Sequence, residues 1–369
     1  MTTKIQNIQS AQSKNLKNIG KASKEQQSQA LIVQAYCNSV LTQPDVDFSG
    51  DSNLSSMQQT INLNLGKAKN HANNYLNSLQ PTMLQNLSDL SNYYNLHKSV
   101  PDAIPVNSTE ESWINALTAV KQNSEAYLRR SKQLTLELNA FSSNVKEDAK
   151  SFSSILTQLN NLVNGDNGEL EQLNSELSSI DTEIASEITA SVFEGLGILG
   201  GVVMIIVGAI EDFVTAGTNP ELVIGGVVAV VAGVGGEAAT IVALANAYNK
   251  KGELIRTKTM LTNEVKLVTG INAGYTKLGH QVANAAMASE AMTHAWQAIN
   301  TDLENLIHDL QTGILTSGDV RKLFIDEANS DINLLLSEIE IIKSQMAGIK
   351  LTKVPKTQRL AHFLTNHLN

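Results

Sequence analysis

Residues 195–237 read GLGILGGVVMIIVGAIEDFVTAGTNPELVIGGVVAVVAGVGGE, and this stretch decides how the rest of the chain is interpreted. Two apolar runs, Gly195–Ile210 with 16 uncharged residues and Leu222–Gly236 with 15, flank a short polar tip. A helix that spans a bilayer permanently needs about 20 apolar residues. The two runs fall short of that length, which favours a hairpin that inserts into a membrane conditionally.

The flanks and the polar tip limit how this hairpin can cross a bilayer. Each run reaches a full span only with residues 188–193 beyond Glu194, or with 238–245 beyond Glu237. We therefore predict that the two glutamates mark the near interface. Carboxylates are expensive at the bilayer centre, so an assembly step or a partner must lower that barrier. The polar tip carries three of them: Glu211, Asp212 and Glu221.

The apolar runs have two further properties. VVMIIV and VIGGVVAVV have high β propensity, so the segment can be partly strand in water and helical in lipid. Small residues repeat every four positions at Gly197 and Gly201, and again at Gly225, Ala229 and Gly233. This spacing lets two helices approach closely in lipid. The residues predicted to enter the membrane are Phe193, Leu196, Ile198, Leu199, Val202, Val203, Met204, Ile205, Ile206, Val207, Ile210, Phe213, Leu222, Val223, Ile224, Val227, Val228, Val230, Val231 and Val234.

A heptad stripe over 110–164 predicts one long helix with a coiled-coil seam. At three heptad positions the apolar residue is replaced by a polar one: Ser124, Ser131 and Asp148. The apolar positions are Trp113, Leu117, Val120, Tyr127, Leu134, Leu138, Phe141, Val145, Phe152, Ile155, Leu159 and Leu162. The stripe resumes at Leu170 after the turn NGDNGE, and it returns from Leu254 to Leu310 as an antiparallel helix.

Shorter helices complete the pattern. Residues 23–42, 53–79 and 320–346 carry helical stripes, and Pro81 is expected to kink or split the helix around it. We expect a loop over 100–112 with a cap at Ser108 or Thr109, a turn and N-cap at 316–319, and a short helix at the C-terminal end.

The fold class predicted is all-α, an elongated bundle of about five long helices. A hydrophobic head, or tongue, is inserted in a helical hairpin and is helical or partly β in the soluble form. Residues 1–187 and 246–369 form the helical-bundle tail, and 188–245 form the membrane-inserting head.

Composition excludes several functions. Lys and Arg number 27 against 36 Asp and Glu, a net charge of −9, which argues against nucleic acid as a partner.

The single cysteine, Cys37, allows no intrachain disulfide and is expected in the core. The first 20 residues lack the apolar region of a Sec signal peptide. Export would then use another route, unless a leader was removed or the protein stays in the cell.

No motif predicts an enzyme, a cofactor or a metal site. GLGILG at 195–200 matches GxGxxG, but no strand precedes it and no βαβ unit surrounds it. His280, His294 and His308 recur every 14 residues on one helix face, about 21 Å apart, too far to share a metal. His362 and His367 offer at most a weak chelating pair.

The layout resembles the cytolysin A-type α-helical pore-forming toxins. Among them it is most similar to the tripartite systems, which are haemolysin BL, non-haemolytic enterotoxin and their Gram-negative counterparts, and the absence of a Sec leader fits the Gram-negative members better. The double apolar run GLGILGGVVMIIVGAIEDFVTAGTNPELVIGGVVAVVAGVGGE resembles the head of their B component. The resemblance implies a secreted soluble monomer that exposes the hairpin and inserts it into the lipid of a target cell membrane. Copies would form a homo-oligomer and, with one or two related toxin subunits, a lytic pore.

Other interpretations remain open at this point. A membrane-anchored coiled-coil protein, such as a receptor or lysis factor, would require detergent for purification. A soluble structural or adaptor bundle, with the apolar hairpin as the dry core of a globular head, would bind no liposomes.

Overall fold

The structure is a computed structural model, and all structural statements concern the residues that it describes. These are residues 2–43, 45–48, 52–197, 204–207, 227–231, 246–247, 250–251, 253–254, 261–330, 332–347 and 349–353.

Long helices make up most of the described chain, which confirms the all-α class. The helices are α1 (Thr2–Thr42), α2 (Ser55–Asn74), α3 (Gln80–Ala103), α4 (Glu110–Leu162), α5 (Asn167–Gly197), α6 (Asn263–Gln311), α7 (Ser317–Ser330) and α8 (Ile332–Ala347). Three strands, β1 (Met204–Val207), β2 (Val227–Val231) and β3 (Ile349–Lys353), form one sheet. The head is thus partly β, as its Val- and Ile-rich runs predicted.

The chain divides into two compact units, and the long helices α1, α4 and α6 contribute to both. Unit 1 comprises Met1–Gln27, Pro81–Leu138 and Ala285–Ser344. Unit 2 comprises Ser28–Gln80, Asn139–Asn284 and Gln345–Asn369, and it contains the sheet.

Aromatic side chains fill the core of unit 1. His97 stacks on Phe324 with ring centroids 4.1 Å apart, and Trp113 meets the edge of Phe324 at 6.0 Å. Tyr93 meets Trp296 edge to face at 5.3 Å. These four aromatic residues and His97 come from α3, α4, α6 and α7, so the cluster fixes four helices together.

Small hydroxyl residues occupy two heptad slots where α4 faces α6 in unit 1. Ser124 Oγ donates to Asn300 Oδ1 at 2.7 Å, and the hydroxyls of Ser131 and Thr293 lie 2.9 Å apart. All four residues are buried. Because these side chains are short and mutually satisfied, the two helices pack closely without leaving a buried polar group unpaired.

The core of unit 2 combines stacked rings with one buried carboxylate. Phe152 stacks on Tyr275 at 4.5 Å, and Tyr75 stacks on Phe141 at 5.3 Å. Asp148, in the third heptad slot, lies 2.7 Å from His71 Nδ1 and is 8% exposed. Cys37 is free and fully buried, which confirms its core position.

Most of the predicted seam is buried, with two exceptions on α4. Tyr127 is half-buried, and Leu162 is 49% exposed and was wrongly placed in the core. Leu162 is the last residue of α4, so the stripe continues in sequence beyond the point where the helix has a partner to cover it.

Side chains cap several helices where the sequence predicted turns. The hydroxyl of Thr109 accepts from the Ser112 amide at 3.3 Å, which confirms the cap before α4. Thr316 and Asp319 cap the start of α7 reciprocally, and the Asp166 carboxylate accepts from the Gly168 amide at the start of α5.

Of two local predictions around proline, the extent of the loop over 100–112 was wrong. The loop expected over 100–112 is shorter, because α3 continues through Pro101 to Ala103. Arg321 Nη1 donates to the carbonyl oxygens of Pro101 and Ile104 at 2.7 Å, and so satisfies acceptors at this helix end. Near Pro81, a π-helix over Tyr75–Leu79 joins α2 to α3 without a loop, which accommodates a proline that donates no hydrogen bond.

The C-terminal region differs most from expectation. The helix predicted over 320–346 is two helices, α7 and α8, on either side of residue 331. The short helix predicted after residue 350 is wrong for residues 351–353, which belong to β3. Residues 349–353 pair with β2, a partner that the local sequence does not specify.

Candidate functional site

The three strands form an antiparallel sheet in the order β1-β2-β3, with β2 in the centre. Met204 pairs with Val230 and Val207 with Val227, so β1 and β2 belong to one hairpin. On its other side β2 pairs with β3, from Val227 with Lys353 to Val231 with Ile349. Both edges of β2 are therefore hydrogen-bonded along its length.

The described strands contain eight of the residues predicted to enter a membrane. They are Met204, Ile205, Ile206, Val207, Val227, Val228, Val230 and Val231. Phe193, Leu196 and Gly197 belong to the last turns of α5. The other predicted residues lie outside the described part of the chain: Ile198, Leu199, Gly201, Val202, Val203, Ile210, Glu211, Asp212, Phe213, Glu221, Leu222, Val223, Ile224, Gly225, Gly233 and Val234.

Two neighbouring ion pairs tie α5 to the chain that returns from the head. Lys251 Nζ lies 3.1 Å from Asp181 Oδ1, and these side chains are only 7% and 13% exposed. Lys250 Nζ lies 3.1 Å from Glu183 Oε1 in a more exposed position. Lys277 on α6 donates to the Asp181 carbonyl oxygen at 2.5 Å. We call these five residues the neck clasp.

Burial changes the pKa of one member of the neck clasp, Lys277. Desolvation lowers the pKa of Lys277, the Asp181 carboxylate opposes this, and the nearby Lys251 lowers the pKa further. A buried lysine keeps its charge only where acceptors replace water. The carboxylate and the carbonyl oxygen of Asp181 supply these acceptors.

The neck clasp and the β-hairpin share one register. The midpoint of Met204 and Val230 is residue 217, and the midpoint of Glu183 and Lys250 falls between residues 216 and 217. Both pairings are therefore centred, in sequence, on residues 216 and 217. The two arms are aligned in the same way at the neck and in the sheet.

Among the described helices, none combines the length and the apolar content of a membrane span. No three His, Cys, Asp or Glu side chains converge as metal ligands would within the described part of the chain. His280, His294 and His308 are exposed on α6. In GLGILG, the first two glycines lie inside α5 and not in a phosphate-binding turn.

Sequence reasoning missed β3 and the neck clasp. The alternation of IKLTK over 349–353 is a weak strand signal that could have indicated β3. No sequence signal identifies Asp181 and Lys251 as a buried pair, because each is one of many charged residues beside a heptad stripe.

The chain combines long helices with an apolar β-hairpin that is paired in a small sheet. This combination defines a class of helical proteins in which a sheet holds the apolar hairpin. Soluble AhlB, from the tripartite alpha-pore forming toxin AHL of Aeromonas hydrophila, is 36% identical with a TM-score of 0.86, covering 95% of this chain and 99% of AhlB. Soluble SmhB, from the tripartite toxin Smh of Serratia marcescens, is 32% identical with a TM-score of 0.87, covering 95% and 98%. The AhlB pore is 31% identical with a TM-score of 0.64, covering 92% and 99%.

Sequence families agree with these structural matches. Residues 13–187 match the Bacillus haemolytic enterotoxin (HBL) family. A comparison with curated protein sequences gave no match. The chain belongs to the family of tripartite α-pore-forming toxin components that includes AhlB and SmhB.

Proposed function

We propose that this chain is a membrane-inserting component of a multipartite α-pore-forming toxin. The soluble form is secreted and holds the hairpin in the sheet. At a target cell membrane the hairpin inserts, and copies oligomerise with one or two related subunits into a lytic pore. The observation that carries this proposal is that one sequence, aligned over nearly its whole length, is similar to both the soluble form and the pore of AhlB.

The apolar composition of the two runs supplies the driving force. Moving about 30 apolar residues into lipid yields tens of kcal/mol in gross terms, at about 25 cal/mol per Å². This is enough to offset the loss of a small sheet, whose hydrogen bonds contribute about 1 kcal/mol each. In lipid, the hairpin must be helical, because an open sheet edge would leave backbone groups unsatisfied.

The end of α5 shows how the first arm reaches a full span. Residues 188–197 are already helical in this structure. Continuing α5 to Ile210 gives a helix from residue 188 of about 34 Å, at 1.5 Å per residue. The hydrocarbon core is about 30 Å thick. The first arm therefore reaches a full span by extending a helix that exists, and this extension requires β1 to give up its strand conformation.

The shared register aligns the two arms in the inserted state. If both become helical without sliding, Gly201 comes level with Gly233, and Asp212 comes level with the neighbourhood of Glu221. Glu194 comes within about one helical turn of Glu237. The polar residues then form two layers, one at each interface, and glycines face each other where the helices pack.

This geometry supports the following assignments for the head, which are part of the proposal. Residues 188–245 are the membrane-inserting head, and 1–187 with 246–369 are the tail. The apolar residues named above enter the hydrocarbon, Gly197, Gly201, Gly225 and Gly233 pack the helices, and Glu211, Asp212 and Glu221 form the tip. The activity requires no catalytic residue and no cofactor.

Leakage of loaded vesicles tests the proposal. Vesicles of phosphatidylcholine and cholesterol that contain calcein are mixed with the protein, alone and with the companion subunits of its own toxin. We expect dye release and protease protection over 188–245. Val203→Asp and Val228→Asp each place a charge in the hydrocarbon and should abolish release, because such a charge is expensive at mid-bilayer.

Leu63→Asp is the matched control. Leu63 lies on α2 and is 69% exposed, so the same change of an apolar residue to aspartate leaves packing intact. We expect this variant to lyse vesicles like the unchanged protein. Release that survives both Val203→Asp and Val228→Asp would rule out the hairpin as the inserting element.

A further inference from the structure

We propose that a cavity between α1 and α6 binds one small monovalent cation, Na⁺ or K⁺, through side-chain oxygen atoms of Gln12, Asn15 and Asp302. These residues all belong to unit 1, and none of them lies in the head. The inference therefore goes beyond the proposed function and does not depend on it.

The cavity has room for a single ion. Its volume is about 20 Å³, and side chains from α1, α3, α6 and α7 line it. A cavity of about 10–15 Å³ is enough to hold one water molecule. Apolar and aromatic side chains, such as Leu16, Ile299 and Phe324, form much of the wall. The ligand is therefore small, and it has only a few polar side chains to contact.

Gln12 supplies the first of the three oxygen atoms. It lines the cavity and is only 7% exposed. Its Oε1 atom is buried and has no hydrogen-bond partner among the described residues. A buried acceptor that nothing satisfies destabilises the folded state. A cation in the cavity would satisfy this oxygen.

Asn15 and Asp302 supply the other two oxygen atoms. Asn15 Nδ2 donates to Asp302 Oδ2 at 2.5 Å, which leaves the Oδ1 atoms of both residues as acceptors. Gln12 and Asn15 are three residues apart on α1, so they lie on the same face of the helix. The cavity is therefore lined by two amide oxygens from α1 and one carboxylate oxygen from α6.

The charge of Asp302 favours a cation over a water molecule. The residue is half-buried, and no lysine or arginine forms an ion pair with it in the described part of the chain. Burial raises the pKa of Asp302, whereas the hydrogen bond from Asn15 lowers it. Charges that are removed from water in proteins are paired or coordinate a metal ion. A cation in the cavity would be the missing partner of this carboxylate.

The ligand set favours a monovalent ion over a divalent one. Amide and carbonyl oxygens replace the hydration shell of K⁺ in channels, and they coordinate Na⁺ in transporters. Ca²⁺ takes about six to eight oxygen ligands, and its affinity rises with the number of carboxylates. This cavity offers a single carboxylate, so one positive charge balances the site.

Exchange of the cation at constant ionic strength tests the site. Urea unfolding of the full chain is measured at pH 8, where histidine side chains are neutral, in chloride salts of Na⁺, K⁺ or N-methylglucamine. N-methylglucamine is too large for the cavity. A cation that binds only the folded protein multiplies the folding equilibrium constant by one plus the ratio of its concentration to its Kd. At about 150 mM salt and a Kd of about 15 mM, we expect a constant about tenfold larger than in N-methylglucamine. The salt that gives the larger constant identifies the ion.

Variants separate the site from general effects of salt. Gln12→Leu removes one ligand without changing the net charge, and we expect equal folding constants in the three salts. Asp302→Asn should behave in the same way. Glu304→Gln is the matched control, because this carboxylate lies two residues away on α6 with its side chain 69% exposed. The control should keep the tenfold difference.

Gln12→Glu distinguishes a cation site from a direct contact between the side-chain amide and Asp302. A second carboxylate in the cavity strengthens cation binding, so we expect more than a tenfold difference between the salts. If the amide of Gln12 instead donated to Asp302, Gln12→Glu would destabilise the protein equally in all three salts, and that result would overturn the proposal.

Sodium NMR of the folded protein gives a second measurement that needs no unfolding. Bound Na⁺ relaxes faster than free Na⁺, so we expect a faster sodium relaxation rate with the unchanged protein than with Gln12→Leu, and a return to the slower rate when KCl competes. Equal folding constants in the three salts for the unchanged protein, together with equal sodium relaxation for the two proteins, would show that the cavity holds water and no cation.

Discussion

Lys251 and Asp181 form a largely buried ion pair 3.1 Å apart, which joins α5 to the segment that precedes α6. One residue away, Lys250 and Glu183 form a pair of the same length, but with side chains 59% and 45% exposed. The chain thus carries two adjacent bridges between the same two segments, which differ chiefly in their access to water.

Removing one member of the buried bridge should destabilise unit 2. Lys251→Ala leaves the Asp181 side chain poorly hydrated and without this partner, and we expect the free energy of unfolding to fall by about 3 kcal/mol. Urea unfolding monitored by far-ultraviolet circular dichroism measures this change in the free energy of unfolding.

The neighbouring bridge supplies the control for that experiment. Lys250→Ala breaks an exposed pair, and we expect a change of at most about 1 kcal/mol. Losses of equal size from both variants would show that burial does not distinguish the two bridges.

Asp148 should make stability depend on pH. Burial raises its pKa above the ordinary value of 3.8, more strongly than His71 lowers it; Glu147 adds to the rise and Lys67 opposes it. Since the folded state holds this proton to higher pH than the unfolded chain, the contribution of Asp148 is fully present below 3.8 and is lost as pH rises through its folded pKa. The loss is at most about 1.4 kcal/mol per pH unit.

Asp148→Asn removes this ionisation while keeping the shape of the side chain. Relative to the unchanged protein, the variant should gain stability as the pH is raised from 4 to 7. Urea midpoints at both pH values measure the effect, and Glu147→Gln, on the exposed side of α4, should reproduce little of it. A constant difference between Asp148→Asn and the unchanged protein at both pH values would contradict the assignment.

Replacement of Ser131 by leucine, the residue type that its heptad position favours, should lower the stability of the protein. It is fully buried, and its hydroxyl lies 2.9 Å from that of Thr293. Ser131→Leu overfills the space between α4 and α6 and removes a partner of Thr293, so we expect a loss of about 1–3 kcal/mol. Leu136→Ser changes an exposed residue on the same helix and should alter stability by less than about 0.5 kcal/mol. Thermal unfolding measures the stability of the two variants. If Ser131→Leu stabilised the protein, the space between α4 and α6 would be large enough for a leucine side chain.

Glycines of the two arms should meet in the inserted state. Gly201→Cys with Gly233→Cys places two thiols at the same level if the register of the hairpin is kept. We expect an intrachain disulfide in vesicle-bound protein, detected by mass spectrometry after proteolysis. Gly201→Cys with Gly225→Cys is offset by eight residues, about 12 Å along a helix, and should not cross-link. Preferential cross-linking of the offset pair would show that the arms slide during insertion.

The helical bundle was predictable because its information is local and repeated. The stripe from Trp113 to Leu159 marks the buried face of α4, and even its interruptions, Ser124, Ser131 and Asp148, are buried as the seam requires. The caps at Thr109 and Thr316 were predictable from short motifs for the same reason. Leu162 shows the limit of this reasoning, since a pattern records where a residue would face but not where its partner ends.

The head was only half predictable. The apolar runs and their β propensity indicate the hairpin, and its symmetry about the polar tip is visible in the sequence. The partner of β2 on its other side is not, because IKLTK is five residues long and lies far away in sequence. Likewise, the sequence shows that Asp181 and Lys251 are charged, but their burial depends on packing against α6.

The position of β3 also has a consequence for how the protein is made. Translation at roughly 5–20 residues per second would take on the order of ten seconds to pass from β2 to β3. During that interval the newly made hairpin leaves the ribosome with the outer edge of β2 uncovered. We therefore expect chaperones to bind the nascent chain mainly after residue 231 has emerged and before residue 353 has emerged. During that time the apolar edge of β2 has no strand paired with it.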